Sequence, residues 1–334
     1  MTPENHSAPH FVAALLVCLH AGTSIAATAV RDMAGQPYPS RPVRLIVPFP
    51  PGGGTDIVAR IVGDKLGETL GQPFVVDNRG GAASTLGSAI AAKAAADGYT
   101  ILLVTASYAI SAGFYHNLPY DAVKDFDAIG LVASQPLVLV KHPSVQANSV
   151  KELIVFARAN PDRLNYASGG EGGINHLAGE LLKNMAGIRM VHVPYKGAGP
   201  ALTALVGGEV QLFIATLGSA LPHIRSGKVR AIAVASARRS PAAPDLPTIA
   251  ESGVPGYEAT NWYGFLAPRN TRLSVIGVLN KQIAAVVESK DVRERLTAGG
   301  FELTTSTPKQ FSDYLKSEIA KWRRTINDAG MRQS

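Results

Sequence analysis

From Val43 onward, short β-branched runs alternate with apolar residues at helical spacing. Val43-Arg-Leu-Ile-Val47 predicts a strand. Ile57, Val58, Ile61, Val62 and Leu66 then share one helix face, with Thr55 as cap and Asp56 in the first turn, where the helix dipole favours negative charge. Phe74–Asp77 and Tyr99–Val104 predict further strands, with an Ala-rich helix over Leu86–Ala95 between them. A second series follows. Strands are expected at Leu137–Val140, Leu164–Ala167, Val191–Val193, Gln211–Ala215 and Arg230–Val234. Between them come a helix over Val150–Ala159 capped by Ser149, one running to Ala186, and helical pieces at Pro200–Val206 and Leu221–Ser226. After a Pro-rich stretch, Trp262–Leu266 predicts one more strand, and helices over Ser274–Glu288, Asp291–Ala298 and Pro308–Ala329 complete the chain.

Strands alternating with helices predict an α/β fold with parallel sheets. The 334 residues exceed what one core usually serves, so two domains are expected. The last helices bring no βα unit of their own and must pack on something already built. The chain is therefore expected to build one domain from residues 38–130 plus 250–334 and a second from 131–249.

Composition describes a globular chain: 46% hydrophobic and 17% charged residues. The net charge of +7 is scattered, with no basic stripe or interleaved aromatics, which argues against nucleic acid and for a general attraction of anions. The apolar run Phe11–Leu19 is short for a membrane span and is followed by the small residues Ser24-Ile-Ala-Ala-Thr-Ala29. This predicts a secretory signal peptide over residues 1–29, cleaved near Ala27–Val30, although the first ten residues lack the usual Lys or Arg. Cys18, the single cysteine, leaves with the leader, so no disulfide is expected, and bulky Val17 argues against a lipid anchor at Cys18. The mature protein is expected to be a soluble periplasmic monomer.

Glycine and small polar residues gather where strands end and helices begin. Ligands bind in α/β sheets at the carboxyl ends of strands, and the free N–H groups of a helix start bind anions. Four such loops stand out: Pro48–Asp56, with Phe49, Pro51, Gly52 and Gly53; Thr105–Ser107; Ser168–Asn175, with Gly170, Gly172 and Gly173 ahead of His176; and Tyr195–Pro200, with Lys196 beside a helix start. None is a P-loop or a dinucleotide fingerprint. Each alone reads equally well as a turn, and Lys196 as a solvated lysine. Together they describe an anion held between two domains by backbone amides, with neither metal nor other cofactor.

Long motifs in these regions, in order, closely resemble the Bug family, the receptors of tripartite tricarboxylate transporters. They are Tyr38-Pro-Ser-Arg-Pro-Val-Arg-Leu-Ile-Val-Pro-Phe-Pro-Pro-Gly-Gly53, Asp97-Gly-Tyr-Thr-Ile-Leu-Leu103, Tyr120-Asp121 with Lys124-Asp-Phe126, His192-Val-Pro-Tyr-Lys-Gly197, Ala220-Leu-Pro-His-Ile-Arg225, and Pro255-Gly-Tyr-Glu-Ala259 with Trp262-Tyr-Gly264. The resemblance implies a two-domain periplasmic-binding-protein fold of the Venus-flytrap type II. It also implies a di- or tricarboxylate, acidic amino acid or aromatic carboxylate in the interdomain cleft, and delivery to two integral membrane subunits. Carboxylate capture by Phe49–Gly53 is implied in the same way. The loop at Ser168–Gly173 departs from the commoner form, which has a serine near Gly173. At Ala215-Thr216 many relatives carry Asp or Asn, and their absence argues against an amino-acid ligand.

An enzyme would need a nucleophile, base or metal site. No Gly-x-Ser-x-Gly or His-Glu-x-x-His occurs, and His176 and His192 are not spaced as metal ligands. His176 is expected to orient the Ser168 loop or line the cleft. A receptor that closes on its ligand is therefore expected, with Thr216 contributing from the second domain and Trp262 placed near the return crossing to sense closure. A receptor that senses its ligand instead of delivering it is the alternative.

Overall fold

The computed structural model describes residues 1–2, 30–81, 84–115 and 117–331, so the expected leader and Cys18 lie outside the described residues. The first half of the chain forms β1 (Val43–Val47), α1 (Gly54–Leu70), β2 (Phe74–Asn78), α2 (Thr85–Ala92), β3 (Thr100–Thr105) and α3 (Ala106–Phe114). Then come β4 (Phe126–Lys141), α4 (Val150–Ala159), β5 (Asn165–Ser168), α5 (Ile174–Ala186), β6 (Val191–Pro194), α6 (Ala198–Val206), β7 (Leu212–Thr216), α7 (Leu217–Arg225) and β8 (Arg230–Val234). The chain finishes through β9 (Thr260–Pro268), α8 (Leu273–Glu288), α9 (Lys290–Ala298), β10 (Glu302–Leu303) and α10 (Pro308–Asp328).

The strands lie in the order β2-β1-β3-β9-β4-β7-β5-β6, with β8 and β10 also on β4. β4 serves two sheets. Its residues Phe126–Pro136 pair with β9, and Leu137–Lys141 pair with β7 and β8. The sheet on either side of this crossing, with its helices, forms one lobe.

The sheets are not purely parallel as expected. β1 runs parallel to β2 and β3, and β5 to β6 and β7. β9 is antiparallel to β3 and β4, and β4 is antiparallel to β7, β8 and β10. The reason is the crossing itself. β4 carries the chain out of the first lobe and β9 brings it back, so the two must run in opposite senses side by side.

Alternation along each strand splits the first lobe into two packed faces. Leu45, Ile101, Leu103 and Phe265 face α1, α8 and α9, in one core with Val58, Val62, Ile276 and Leu296. Ile46, Leu102 and Val104 point the other way, into a core with Tyr108, Phe311 and Trp322 that continues into the second lobe beneath α4 and α5. α6 and α7 cover the opposite face of the second sheet through Leu205 and Ala220 against Val138 and Phe213. α10 packs on α3, β4 and α5, and so touches both lobes. Its start is fixed by a capping box between Thr307 and Gln310, with Pro308 in the first turn.

Candidate functional site

Five helices begin where a parallel strand ends, and all five starts open on one cleft between the lobes. Among the described residues these are α1 and α3 from the first lobe and α5, α6 and α7 from the second. The cleft holds about 860 Å³. Thr105 caps α3, its Oγ1 accepting from the Ser107 amide at 3.2 Å. Gly53, Gly173, Gly197 and Thr216 precede the other four helices and give no side-chain cap. First-turn N–H groups have no partner within a helix, so these four starts present donors to whatever occupies the cleft. Among the described residues the lining includes no Lys, Arg or His, and Glu171 is its one charged residue.

The loop Phe49–Gly53 is held from behind by Asp56. The buried Asp56 carboxylate accepts from the Gly52 amide, from Arg60 Nε and from Asn78 Nδ2, each at 3.0 Å. Asn78 also donates to the Phe49 carbonyl at 3.1 Å. Burial works to raise the Asp56 pKa, but the hydrogen bonds from Arg60, Gly52 and Asn78 outweigh it and hold the carboxyl below its ordinary range. Gly52 sits at φ +86°, a left-handed conformation that few residues but glycine adopt without strain.

The floor of the cleft is a polar chain where β4 and β9 cross. Tyr263 Oη donates to Gln135 Oε1 at 3.1 Å and accepts from Asn261 Nδ2 at 2.9 Å. Asn261 Oδ1 is buried without a protein partner. Burial pushes the Tyr263 hydroxyl well above its usual pKa, which keeps it a donor.

Of the residues expected from the sequence, Phe49, Pro51, Gly52, Gly53, Thr105, Ser107, Gly170, Gly173 and Thr216 line the cleft. Ser168, Gly172 and His176 do not; Ser168 and His176 stand behind the loop, and Gly172 is bonded to His176 from within it. Ser168 Oγ accepts from the Gly170 amide at 3.1 Å, and His176 Nδ1 accepts from the Gly172 amide at 3.2 Å. Two further expected residues stand elsewhere. Lys196 is exposed and outside the lining, which Gly197, Ala198 and Gly199 supply instead. Trp262 is buried in the core on the far side of β9, because alternation turns its neighbour Tyr263 toward the cleft. Gln135, Ser219, Asn261, Tyr263 and Phe301 line the cleft and were not expected, and Asn175, from the expected Ser168–Asn175 loop, lines it too. The Trp-Tyr pair carried the signal for one of them, since period two allows only one of the two residues to face the ligand.

Comparison with known proteins decides the family. Residues 58–331 match the sequence profile of the tripartite tricarboxylate transporter family receptor. The chain belongs to that family. This receptor is 39% identical to protein BugT of Bordetella pertussis, over 88% of its own chain and 90% of BugT. Its fold is that of a protein from R. palustris solved with adipate, at a TM-score of 0.79 and 37% identity, covering 88% of the receptor and 99% of that chain. It is also like the periplasmic binding protein BugD, at a TM-score of 0.76 and 36% identity, covering 89% of the receptor and all (100%) of BugD. The receptor therefore has the two-lobed α/β fold of periplasmic solute-binding proteins. No helix among the described residues is long and apolar enough to cross a membrane, and none of their His, Cys, Asp and Glu residues group in threes that could hold a metal.

Proposed function

We propose that this receptor captures a small di- or tricarboxylate or aromatic carboxylate between its lobes and presents it to two integral membrane subunits of a tripartite transporter. One observation carries the reading. Four helix starts without side-chain caps, and a fifth capped by Thr105, converge on a cleft that no cationic side chain lines among the described residues. An anion bound through backbone amides makes the fullest use of that arrangement. The magnitudes suffice. A partly buried helix start contributes up to about 2 kcal/mol and a charge-assisted hydrogen bond about 1.5–3 kcal/mol, while micromolar affinity needs about 8 kcal/mol.

In this reading residues 38–130 with 250–334 form one closing body and 131–249 the other, joined through β4 and β9, and a ligand that touches both favours the closed state. The protein works as a monomer in the periplasm after losing its leader near Ala27–Val30. The carboxylate bound by the R. palustris relative, adipate, is the first ligand to try. The test is a panel of mono-, di- and tricarboxylates, adipate among them, read by thermal shift and confirmed by calorimetry. Saturable binding of at least one is expected; a panel with no thermal or calorimetric response would defeat the proposal.

A further inference from the structure

Behind the Ser168–Gly173 loop, the rings of His176 on α5 and His192 on β6 stack face to face. Their centroids are 3.6 Å apart and their planes 8° from parallel. His176 Nδ1 accepts from the Gly172 amide at 3.2 Å. An amide N–H can only donate, so this nitrogen carries no proton, and the neutral ring holds its proton on Nε2, 3.9 Å from Glu180 Oε1. His192 Nε2 lies 2.6 Å from Ser168 Oγ, the atom that accepts from the Gly170 amide. Each imidazole thus secures one glycine of the loop, His176 directly and His192 through Ser168.

The surroundings oppose charge on either ring. Glu180 is the nearest acid, but its Oε1 already accepts from Tyr166 Oη at 2.5 Å and from Lys183 Nζ at 2.7 Å. Tyr257 Oη, nearby, donates to the Ala178 carbonyl at 2.8 Å. Burial first, then His192 and Lys183, hold His176 down to about 3. Burial also lowers His192, while Glu180 and Glu171 work in the opposite direction. A proton added at His176 Nδ1 would meet the Gly172 N–H head on.

We propose that His176 and His192 are positioning residues for the cleft: as a neutral stacked pair they fix the backbone of the Gly169–Gly173 loop, and protonation of the pair frees the loop and weakens the ligand's hold. The part concerning the ligand rests on the receptor reading; the part concerning the loop does not. The sign follows from the lowered pKa values. The loop is held throughout neutral pH and released as pH falls.

The test is hydrogen exchange of the ligand-free protein, corrected for the intrinsic effect of pH and referred to α4. Protection of residues 169–173 is expected to fall at least about tenfold between about pH 7 and about pH 4. His176→Phe keeps a stacking ring without an acceptor and is expected to lose that protection at every pH. Combining His176→Asn with His192→Gln supplies side chains that hydrogen-bond but do not titrate, and is expected to restore protection and flatten its pH profile. Wild-type protection that does not change with pH, or protection in His176→Phe equal to wild type, overturns the proposal. Adipate affinity, measured in parallel by calorimetry, is expected to fall by a similar factor on acidification. A protein that ignores adipate at neutral pH speaks against that ligand alone, and the exchange profile still decides the role of the pair.

Discussion

Asp56 accepts a hydrogen bond from the backbone N–H of Gly52 at 3.0 Å, so the first turn of α1 reaches back to fix the loop in front of it. The same carboxylate holds Arg60 and Asn78. Asp56→Ala would leave the Gly52 amide and the Asn78 side chain without this partner. A stability loss of about 1–3 kcal/mol is expected in urea unfolding, with carboxylate affinity weaker by about tenfold in calorimetry. The pH dependence has a defined sign. Because the folded pKa lies below the ordinary one, the stabilisation is present above the unfolded value of about 4 and disappears as pH falls through the lower folded value. The variant's stability should therefore converge on that of wild type in acid; a difference that persists unchanged there would refute this account.

Trp262 and Tyr263 are adjacent on β9 and serve opposite sides of the sheet. Trp262→Phe removes an indole that faces Phe311 and Glu318, so it is expected to lower the melting temperature while leaving ligand affinity within about twofold. Tyr263→Phe removes the hydroxyl that joins Gln135 to Asn261, and is expected to weaken the ligand by about five- to tenfold with a smaller effect on folding. Paired calorimetry and thermal melts separate the two; the reverse assignment of effects would show that the strand's faces have been misread.

Much of the fold was legible because local signals agree with tertiary ones. α4 begins and ends where its Ser149 cap and apolar spacing place it, and Ser149 Oγ does accept from the Glu152 amide. β1 and β8 likewise occupy the predicted residues. The first half of β4 was not legible. Its register shifts between Ala128 and Gly130 and again between Leu131 and Ala133, which breaks the alternation a strand is recognised by. α3 was missed because Ala106–Phe114 mixes small and polar residues with no clear apolar stripe, and its burial comes from α10. In the cleft, the loops were legible from glycine and helix starts, but the floor was not. Gln135 and Asn261 stand opposite each other only through the β4–β9 register, a relation across more than a hundred residues that no local pattern carries.

Glu318 is a buried carboxylate that accepts from both Trp262 Nε1 at 2.9 Å and Trp322 Nε1 at 3.1 Å. It ties α10, which touches both lobes, to the strand that returns the chain to the first. Glu318→Ala would bury two unpaired indole N–H groups, an expected cost of about 2–5 kcal/mol. Glu318→Gln keeps an acceptor and should cost clearly less. Equal losses for the two in chemical denaturation would mean that the indole hydrogen bonds are not what Glu318 contributes.

Gly218, in the first turn of α7, meets Gly299 and Gly300 of the other lobe backbone to backbone. A Cβ at position 218 would lie 2.7 Å from the Gly299 carbonyl oxygen and 3.1 Å from Gln135 Nε2. Position 218 lies in helix and is not at positive φ, so a side chain there is compatible with its own lobe and conflicts only with the opposite one. Gly218→Val should therefore act as a wedge. Stability is expected to stay within about 1 kcal/mol of wild type, since neither lobe's core is disturbed. Ligand affinity is expected to fall by at least about tenfold, because the state in which both lobes touch the ligand is the one penalised. Small-angle scattering gives the second readout: the wild type should contract when a binding carboxylate is added, and the variant should not. A variant that binds and contracts like wild type would show that the approach of Gly218 to Gly299 is no part of the bound state.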